Sequence, residues 1–418
     1  MINVLDVHKG SVFVVQADVD GKETNRLRLR ANYEVMDRFL DGLLAGSTVI
    51  MESCYAWEYI YDLAVKKGLN AIVVNTGDLY PKGKPEKKND LEDCRRILRL
   101  YRIGELPTIQ PLEVSTRELR DLLRNRIFVT RKITAFRNRT HFTVDRLGLR
   151  FPAAELFGAR KFEPQDLPIS RTNMIQLASN QKILEVLETQ EKALEAEITN
   201  RIISTSELKN VLTIKGVGPI TAETILLEMG SVKRFATKEN LTAYAGLVPS
   251  QDSSDEEEKT TRIRQRCNHN LKWAAIEAAR HCIECEPSMK ARYLRLLHCP
   301  EEMATKSRKG KAVVAVARHL LEVIWCMLTR NEPFRGAPDA AIEKKIEIVT
   351  RKAKAYDLPE PKAIFESVSN TLDKPTDLCY SPEGEWEGCW EQRDDLQPSR
   401  ENGRAGNKTA ITPVSIFL

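Results

Sequence analysis

The 418-residue sequence contains no run of 18 consecutive apolar residues, and its first residues, Met1-Ile2-Asn3-Val4-Leu5-Asp6, lack a basic segment leading into an apolar one. Neither a membrane-spanning helix nor a secretory signal is expected, so the chain reads as soluble. Cysteines number nine, odd and scattered, which argues against a disulfide framework and for reduced thiols in a cytosolic compartment. Net charge is small. The 64 Lys and Arg against 59 Asp and Glu leave +5, which excludes a histone-like polycation but not segregated charge. There is no convincing internal repeat. The length suits two or three domains, each able to bury its own core.

Residues 2–30 read as three short strands, Ile2 to Asp6, Ser11 to Asp18 and Glu23 to Leu29, the last two joined at Asp20-Gly21. Tight turns make them an antiparallel meander. Asn32 can cap a helix carrying Val35, Phe39, Leu40, Leu43 and Leu44, and a strand at Val49 to Met51 follows Gly46. A helix over Tyr55 to Lys67, a buried strand at Ala71 to Val74 and a helix capped by Asn89 complete the order βββαβαβα. That is the order of elements in the ribonuclease-H-like fold.

The charge is indeed segregated. Between Ser115 and Arg150 lie ten basic residues, Arg117, Arg120, Arg124, Arg126, Arg131, Lys132, Arg137, Arg139, Arg146 and Arg150, against three acids, a local +7 on helical sequence. A basic face of this kind is an electrostatic footprint for nucleic acid; a solvated helix normally mixes signs more evenly. Phe128, Phe136, His141 and Phe142 are interleaved with it, as core or as stacking groups. Prolines 152, 164 and 168 mark a bend, after which Leu177, Leu184, Leu187, Leu194 and Ile198 recur at heptad-like spacing. This long helix should pair with another, a candidate for self-association. Residues 205–334 read as a helical domain, including Leu271 to Cys285 with Trp273, Ile276 and Ala279 on one face, and Ala312 to Thr329. A charged helix over 339–356 and an acidic tail, −6 between Asp373 and Asp395, close the chain.

Asp6 ends the first strand and Glu52 lies just past the fourth. In the inferred fold those strands are parallel neighbours, so their carboxylates converge, while Asp90 and Asp93 share one helix face. Alone, each acid reads as a solvated or capping residue. Together they need cations, and hard oxygen ligands suit Mg²⁺ or Mn²⁺ in phosphoryl transfer. Downstream, Leu212 to Thr221 place Gly216 and Gly218 between two helical stretches, a helix-hairpin-helix pattern whose amides can meet a phosphate. An αα turn with a glycine C-cap is the plainer alternative. Ala243 to Pro249 lead into a polar loop with Ser253 and Ser254, then Arg262, Arg264, Arg266 and Lys272. No nearby His-Asp pair marks either serine as a nucleophile.

Leu5-Asp6-Val7, Met51-Glu52-Ser53 with Tyr55, Asn89 to Asp93, Ile214 to Pro219, Ala243 to Pro249 and Arg262 to Leu271 stand in one order over residues 1–334. In these pieces the sequence resembles the transposases of the insertion-sequence one-hundred-and-ten family, which includes bridge-RNA-guided recombinases. The resemblance implies a RuvC-like metal domain (1–105) with Asp6, Glu52, Asp90 and Asp93 as catalytic metal ligands, and a basic helical and coiled-coil connector (106–203). It further implies a helical serine domain (204–334), followed here by the charged helix and tail (335–418). The nucleophile falls on Ser254, with Ser253 as second candidate, and the implied reaction is DNA strand exchange through a phosphoserine. Partners would be donor and target DNA and a bridge RNA, bound through Lys87, Lys88, Arg117, Arg120, Arg124, Arg131, Lys132, Arg137, Arg139, Lys215, Gly216, Gly218, Arg262, Arg264, Arg266 and Lys272. A homo-oligomer, dimer or tetramer, in a prokaryotic, nucleoid-associated setting without a membrane is expected. One departure stands out: Asp255 and Glu256 to Glu258 follow the serine where the family commonly has glycine and basic residues. The same residues could serve a site-specific DNA invertase, or a catalytically silent nucleic-acid-binding homologue. His281, Cys282, Cys285, His298 and Cys299 could bind zinc, although the cysteines also fit a helix as small apolar residues.

Overall fold

The structure, a computed structural model, describes residues 1–54, 56–79, 89–158, 167–202, 205–251, 260–263 and 266–334, together with Lys345 and Glu347. The chain divides into Met1–Asp357 and Leu358–Leu418, and every described residue lies in the first unit. The expected acidic tail lies outside the described residues.

The meander is β1 (Ile2–Val7), β2 (Ser11–Ala17) and β3 (Glu23–Arg30). Gly21 turns the chain at φ +78°, a region that favours glycine. Asn32 accepts the Val35 amide at 2.9 Å and starts α1 (Tyr33–Asp41). Then come β4 (Thr48–Glu52), α2 (Trp57–Lys66), β5 (Asn70–Val74), the short α3 (Thr76–Leu79), α4 (Asp90–Arg102) and β6 (Thr108–Ile109). The six-stranded mixed sheet runs β3-β2-β1-β4-β5-β6, with β1, β4 and β5 parallel and the other pairings antiparallel. The two-residue β6 carries too little pattern to be read from sequence.

Every residue of β1 is buried, as a central strand covered on both faces requires. Leu5 and Val7 pack with Val12, Val14 and Met51 beneath α1 and α2. Val4, Val15 and Ile50 pack on the other face with Cys94, Ile97 and Leu98 of α4. Full burial of a Val or Leu side chain contributes about 1.5–3 kcal/mol, so this strand is strongly held in register. Alternation therefore carries Asp6 to the α4 side, the face of Val4.

The remainder is helical. The long α5 (Val114–Arg146), the short α6 (Ala153–Phe157) and α7 (Arg171–Ile202) come first. Leu184 of α7 packs on Val129 and Ile133 of α5, and Leu177 on Val144. The heptad leucines thus find a partner helix within the same chain. Phe136 joins this seam, whereas Phe128 and Phe142 are exposed. One core then unites α8 (Ser206–Leu212), α9 (Pro219–Met229), α10 (Lys238–Tyr244), α11 (His269–Cys285), α12 (Pro287–Leu297) and α13 (Lys306–Arg330). β7 (Pro249–Gln251) and β8 (Thr260–Ile263) pair as a two-stranded antiparallel ribbon.

The buried face of α11 is Leu271, Ala274, Ala275, Ala278, Ala279 and Cys282. Trp273, expected on that face, is 47% exposed. The small residues let neighbouring helices approach closely, which a tryptophan on that face would prevent. Helix α13 is long and apolar enough to cross a membrane by length and composition alone. Here it is a core helix, with Val316, Leu320, Leu321 and Ile324 fully buried.

Candidate metal centre and nucleic-acid interface

Asp6 is 3% exposed near the carboxyl end of β1. Met51 pairs with Leu5, so Glu52 at the end of β4 lies beside Asp6. Asn89 caps α4 by accepting the Leu91 amide at 3.1 Å, which places Asp90 and Asp93 in the first turn, where the helix dipole favours acids. His8, two residues past Asp6 and on the same face, sets Nε2 3.1 Å from Asp6 Oδ2 and 3.3 Å from Asp90 Oδ1. Arg28 of β3 donates to Asp90 Oδ2 at 2.8 Å. Asp6, His8 and Asp90 each bring a ligand atom within 4.8 Å of the others.

The electrostatics report the same convergence. Burial pushes the Cys94 thiol strongly upward, and the charges of Asp6, Glu52, Asp90 and Asp93 push it further. One buried thiol therefore feels all four carboxylates. Burial also raises the Asp90 carboxyl, but Arg28 and His8 more than offset this and hold it below the usual range. A cluster of hard oxygen donors with one imidazole fits a divalent cation. His8 is absent from the sequence expectation. Its signal was present in Asp6-x-His8, because strand alternation puts the two side chains on one face.

The connector's basic residues divide into two groups. Arg117 is buried, paired with Asp62 and stacked 5.7 Å from the Trp57 ring. Arg120 donates to the Leu227 and Glu228 carbonyls at 3.0 and 2.9 Å, and Arg124 grips the Glu228 carboxylate with two 2.9 Å bonds. Arg137 bonds Glu188 at 2.8 Å. These four join helices to one another. Arg131, Lys132 and Arg139 are exposed, Lys132 lying 5.0 Å from the Phe128 ring centre. The local +7 counted acids nearby in sequence and could not see Asp62, Glu188 or Glu228.

Glu228 also has no counterpart in the sequence reading. Its side chain is fully buried and accepts further bonds from Asn268 and Asn270, each 2.8 Å. Asn268 caps α11, so one carboxylate ties the connector and α9 to the segment immediately after β8. The spacing Arg120/Arg124 on one helix face and a lone acid pair in the apolar α9 were the available signals. Beside it opens a cleft of about 520 Å³, lined among others by Asn75, Asp78, Arg124, Arg266 and His269. Asn75 directly follows β5, so the cleft begins at the carboxyl edge of the sheet that bears Asp6 and Glu52. Arg266 lies over Gly77, where any Cβ would collide with its guanidinium, and 3.8 Å from Asp78.

The hairpin is present: α8 ends at Leu212, and Gly218 caps α9 with Pro219 in its first turn. Gly216 has φ +90°, and a Cβ there would stand 2.6 Å from the Cys282 amide. Lys215 Nζ lies 3.8 Å from Glu286, and Lys272 is partly exposed. Ser253, Ser254, Arg264, Lys87 and Lys88 lie outside the described residues, as does the side chain of Arg262. The flanking strands β7 and β8 pair Gln251 with Thr260. Among the described residues, His281, Cys282, Cys285, His298 and Cys299 form no metal-binding group; Cys282 is buried in the core, which pushes its thiol to about 12.

Comparison with known proteins agrees with this layout. Residues 5–148 match the transposase family model DEDD_Tnp_IS110, and residues 208–294 match Transposase_20, the transposase IS116/IS110/IS902 family. The transposase for insertion sequence element IS1111A of Coxiella burnetii is 26% identical over 299 residues, 69% of this chain and 79% of that relative. A probable family 20 transposase of Pseudomonas aeruginosa is 23% identical over 265 residues, covering 60% and 76%. The transposase for IS1328 of Yersinia enterocolitica is 22% identical over 289 residues, covering 68% and 85%. The chain belongs to the IS110/IS116 family of insertion-sequence transposases, with both family domains in order. Membership carries DNA strand transfer as its activity and DNA as its partner.

Proposed function

We propose that this transposase cuts and rejoins DNA through Ser254, with Asp6, Glu52, Asp90 and Asp93 as ligands of Mg²⁺ or Mn²⁺ in a ribonuclease-H-like, RuvC-like domain over 1–105. The connector is 106–203, the serine domain 204–334, and the remainder 335–418. The observation that carries the reading is the meeting of Asp6, His8 and Asp90, whose ligand atoms all lie within 4.8 Å of one another at the end of β1 and the start of α4. Bound there, the metal supplies charge neutralisation at a phosphodiester and a lowered hydroxyl pKa.

The chain's own residues do the rest. His8 bridges Asp6 and Asp90 and orients both carboxylates. The hairpin amides and the start of α9 receive a DNA phosphate without reading sequence. Arg131, Lys132 and Arg139 face outward for DNA or a structured bridge RNA, where phosphate contacts and shape dominate. Ser254 Oγ bonds to phosphorus as a sugar oxygen leaves; the serine proton passes to solvent and the departing oxygen takes one up. Attack by another sugar hydroxyl then breaks the Oγ–P bond and restores the serine. The ester conserves the bond energy, so no nucleotide hydrolysis is required. The protein acts as a dimer or tetramer, with the serine and the acids able to come from different subunits.

The test is incubation of the full chain with cognate DNA and Mg²⁺. A protein–DNA adduct that survives denaturation and vanishes in Ser254→Ala is expected, with Asp6→Asn retaining DNA binding but forming no adduct. An adduct unchanged by Ser254→Ala refutes the nucleophile and moves the test to Ser253→Ala. Sequencing RNA that copurifies with the protein examines the guide.

A further inference from the structure

Between Pro287 and Lys311 the sequence carries seven basic residues against Glu301 and Glu302, a local +5 as large as the net charge of the whole chain. Lys290, Arg292 and Arg295 lie on α12, and Lys306, Arg308, Lys309 and Lys311 in the first two turns of α13. The two groups are adjacent, because Arg308 Nη1 lies 3.4 Å from Cys299 Sγ, just past the end of α12. Both helices turn apolar sides inward, burying Met289, Tyr293 and Leu297 of one and Ala312 and Val316 of the other. Lys290, Arg295, Lys306, Arg308 and Lys311 are left exposed. The basic residues of the connector meet acids from distant elements; here, among the described residues, none of the seven is held in an ion pair.

This arrangement works against the helix that bears it. Acids are favoured in the first turn of a helix, yet α13 opens with four cations and no acid in that turn. Lys306 and Lys309 stand three apart, as do Arg308 and Lys311, so like charges share a face. Gly310 lies among them, where a Cβ would meet nothing within 4 Å. Glycine weakens a helix interior relative to alanine, and no described neighbour requires it here. What it leaves is bare backbone between Lys309 and Lys311, open to close approach. A surface that gives up helix stability for charge of one sign fits a polyanion that neutralises it.

The surroundings of the charges select the polyanion. Proteins that hold single strands combine basic grooves with exposed aromatic rings on which bases stack. The one Phe, Tyr or Trp of this stretch, Tyr293, is buried and donates its hydroxyl to Glu301 at 3.3 Å. Phosphate contacts are what remain, and they suit a duplex held without reading its sequence. For a member of this transposase family the duplex is DNA.

We propose that the end of α12 and the start of α13 form a binding surface for the phosphate backbone of duplex DNA, apart from the connector face and from the hairpin. The surface carries no chemistry, so it stands or falls independently of Ser254 and of the metal ligands.

The experiment measures binding of the full chain to a short DNA duplex of arbitrary sequence across a range of salt concentrations, in EDTA so that no metal-dependent step occurs. Replacing Lys306, Lys309 and Lys311 together by glutamine should lower the slope of log Kd against log salt by about 2–3. The same variant should melt at or above the wild-type temperature, because repulsion at the start of α13 is relieved. A control replaces the exposed Lys22, Lys66 and Lys192, which lie on other elements, and removes the same charge; its slope should change by less than about 1. An unchanged slope in the first variant overturns the surface, as does an equal loss in the control, which would make the effect one of net charge. A first variant that melts below wild type overturns it too, since the lysines then serve the fold. A slope reduced with double-stranded RNA but not with DNA refutes the assignment to DNA.

Discussion

Replacing Glu228 by glutamine tests whether the connector and the helical domain are joined by one buried charge. The carboxylate accepts two 2.9 Å bonds from Arg124 and 2.8 Å bonds from Asn268 and Asn270, with its side chain fully buried. Removing one partner of a buried, hydrogen-bonded ion pair costs about 3–5 kcal/mol. Glutamine keeps the volume and one acceptor but turns an NH₂ toward donors, so about 3 kcal/mol is expected at neutral pH. For a domain of this size that corresponds to a fall in Tm of roughly 6–12 °C. The pH dependence is more diagnostic. Burial raises the Glu228 pKa, but the bonds from Arg124, Asn268 and Asn270 outweigh it and the net shift is downward. A depressed folded-state pKa gives stability that is fully present above the unfolded value, about 4.3, and is lost as pH falls through the folded value. Glutamine does not titrate. Urea denaturation at several pH values should therefore show a gap between wild type and variant that is full above about pH 5 and narrows below pH 4. A gap under about 1 kcal/mol at pH 7, or one that does not change with pH, refutes this account of the carboxylate.

Gly216→Ala places a Cβ 2.6 Å from the Cys282 amide at φ +90°; a loss of about 2 kcal/mol or more in urea unfolding is expected, with weakened binding to duplex DNA of arbitrary sequence. Leu184→Ala leaves a cavity between α5 and α7 and should destabilise by about 2–5 kcal/mol, measured by chemical denaturation; unchanged stability refutes the seam. Replacing Arg131, Lys132 and Arg139 together by glutamine should reduce the slope of log Kd against log salt for duplex DNA by about 2–3, while Arg117→Gln should lower stability and leave that slope unchanged.

Much of the α/β region was legible because its signals are local. Alternation in Ser11 to Ala17, the Gly21 turn, and the Asn32 and Asn89 caps each act within a few residues. The acids were legible for a related reason: strand ends in a parallel sheet meet at one edge, so naming β1 and β4 as neighbours places Asp6 beside Glu52. His8 lay in the same pattern but is not a carboxylate, and only oxygen donors were sought there. The buried face of α11 was misread because a large aromatic was taken to mark the core, whereas the alanines of the other face permit close helix packing. Arg117 and Arg124 read as a nucleic-acid face because charge summed along sequence ignores partners fifty or a hundred residues away.

By itself, then, the sequence determined the kinds and order of the main elements of the α/β region and placed Asp6 and Glu52 at neighbouring strand ends, since propensity, capping and alternation depend on neighbours in the chain. Only the tertiary structure decided which charges face solvent and which are neutralised within the protein. It alone joined Glu228 to Arg124 and Asn268 and packed α7 on α5. Ion pairs and coordination shells depend on distance in space, and a low-dielectric interior makes a few buried contacts outweigh many exposed charges.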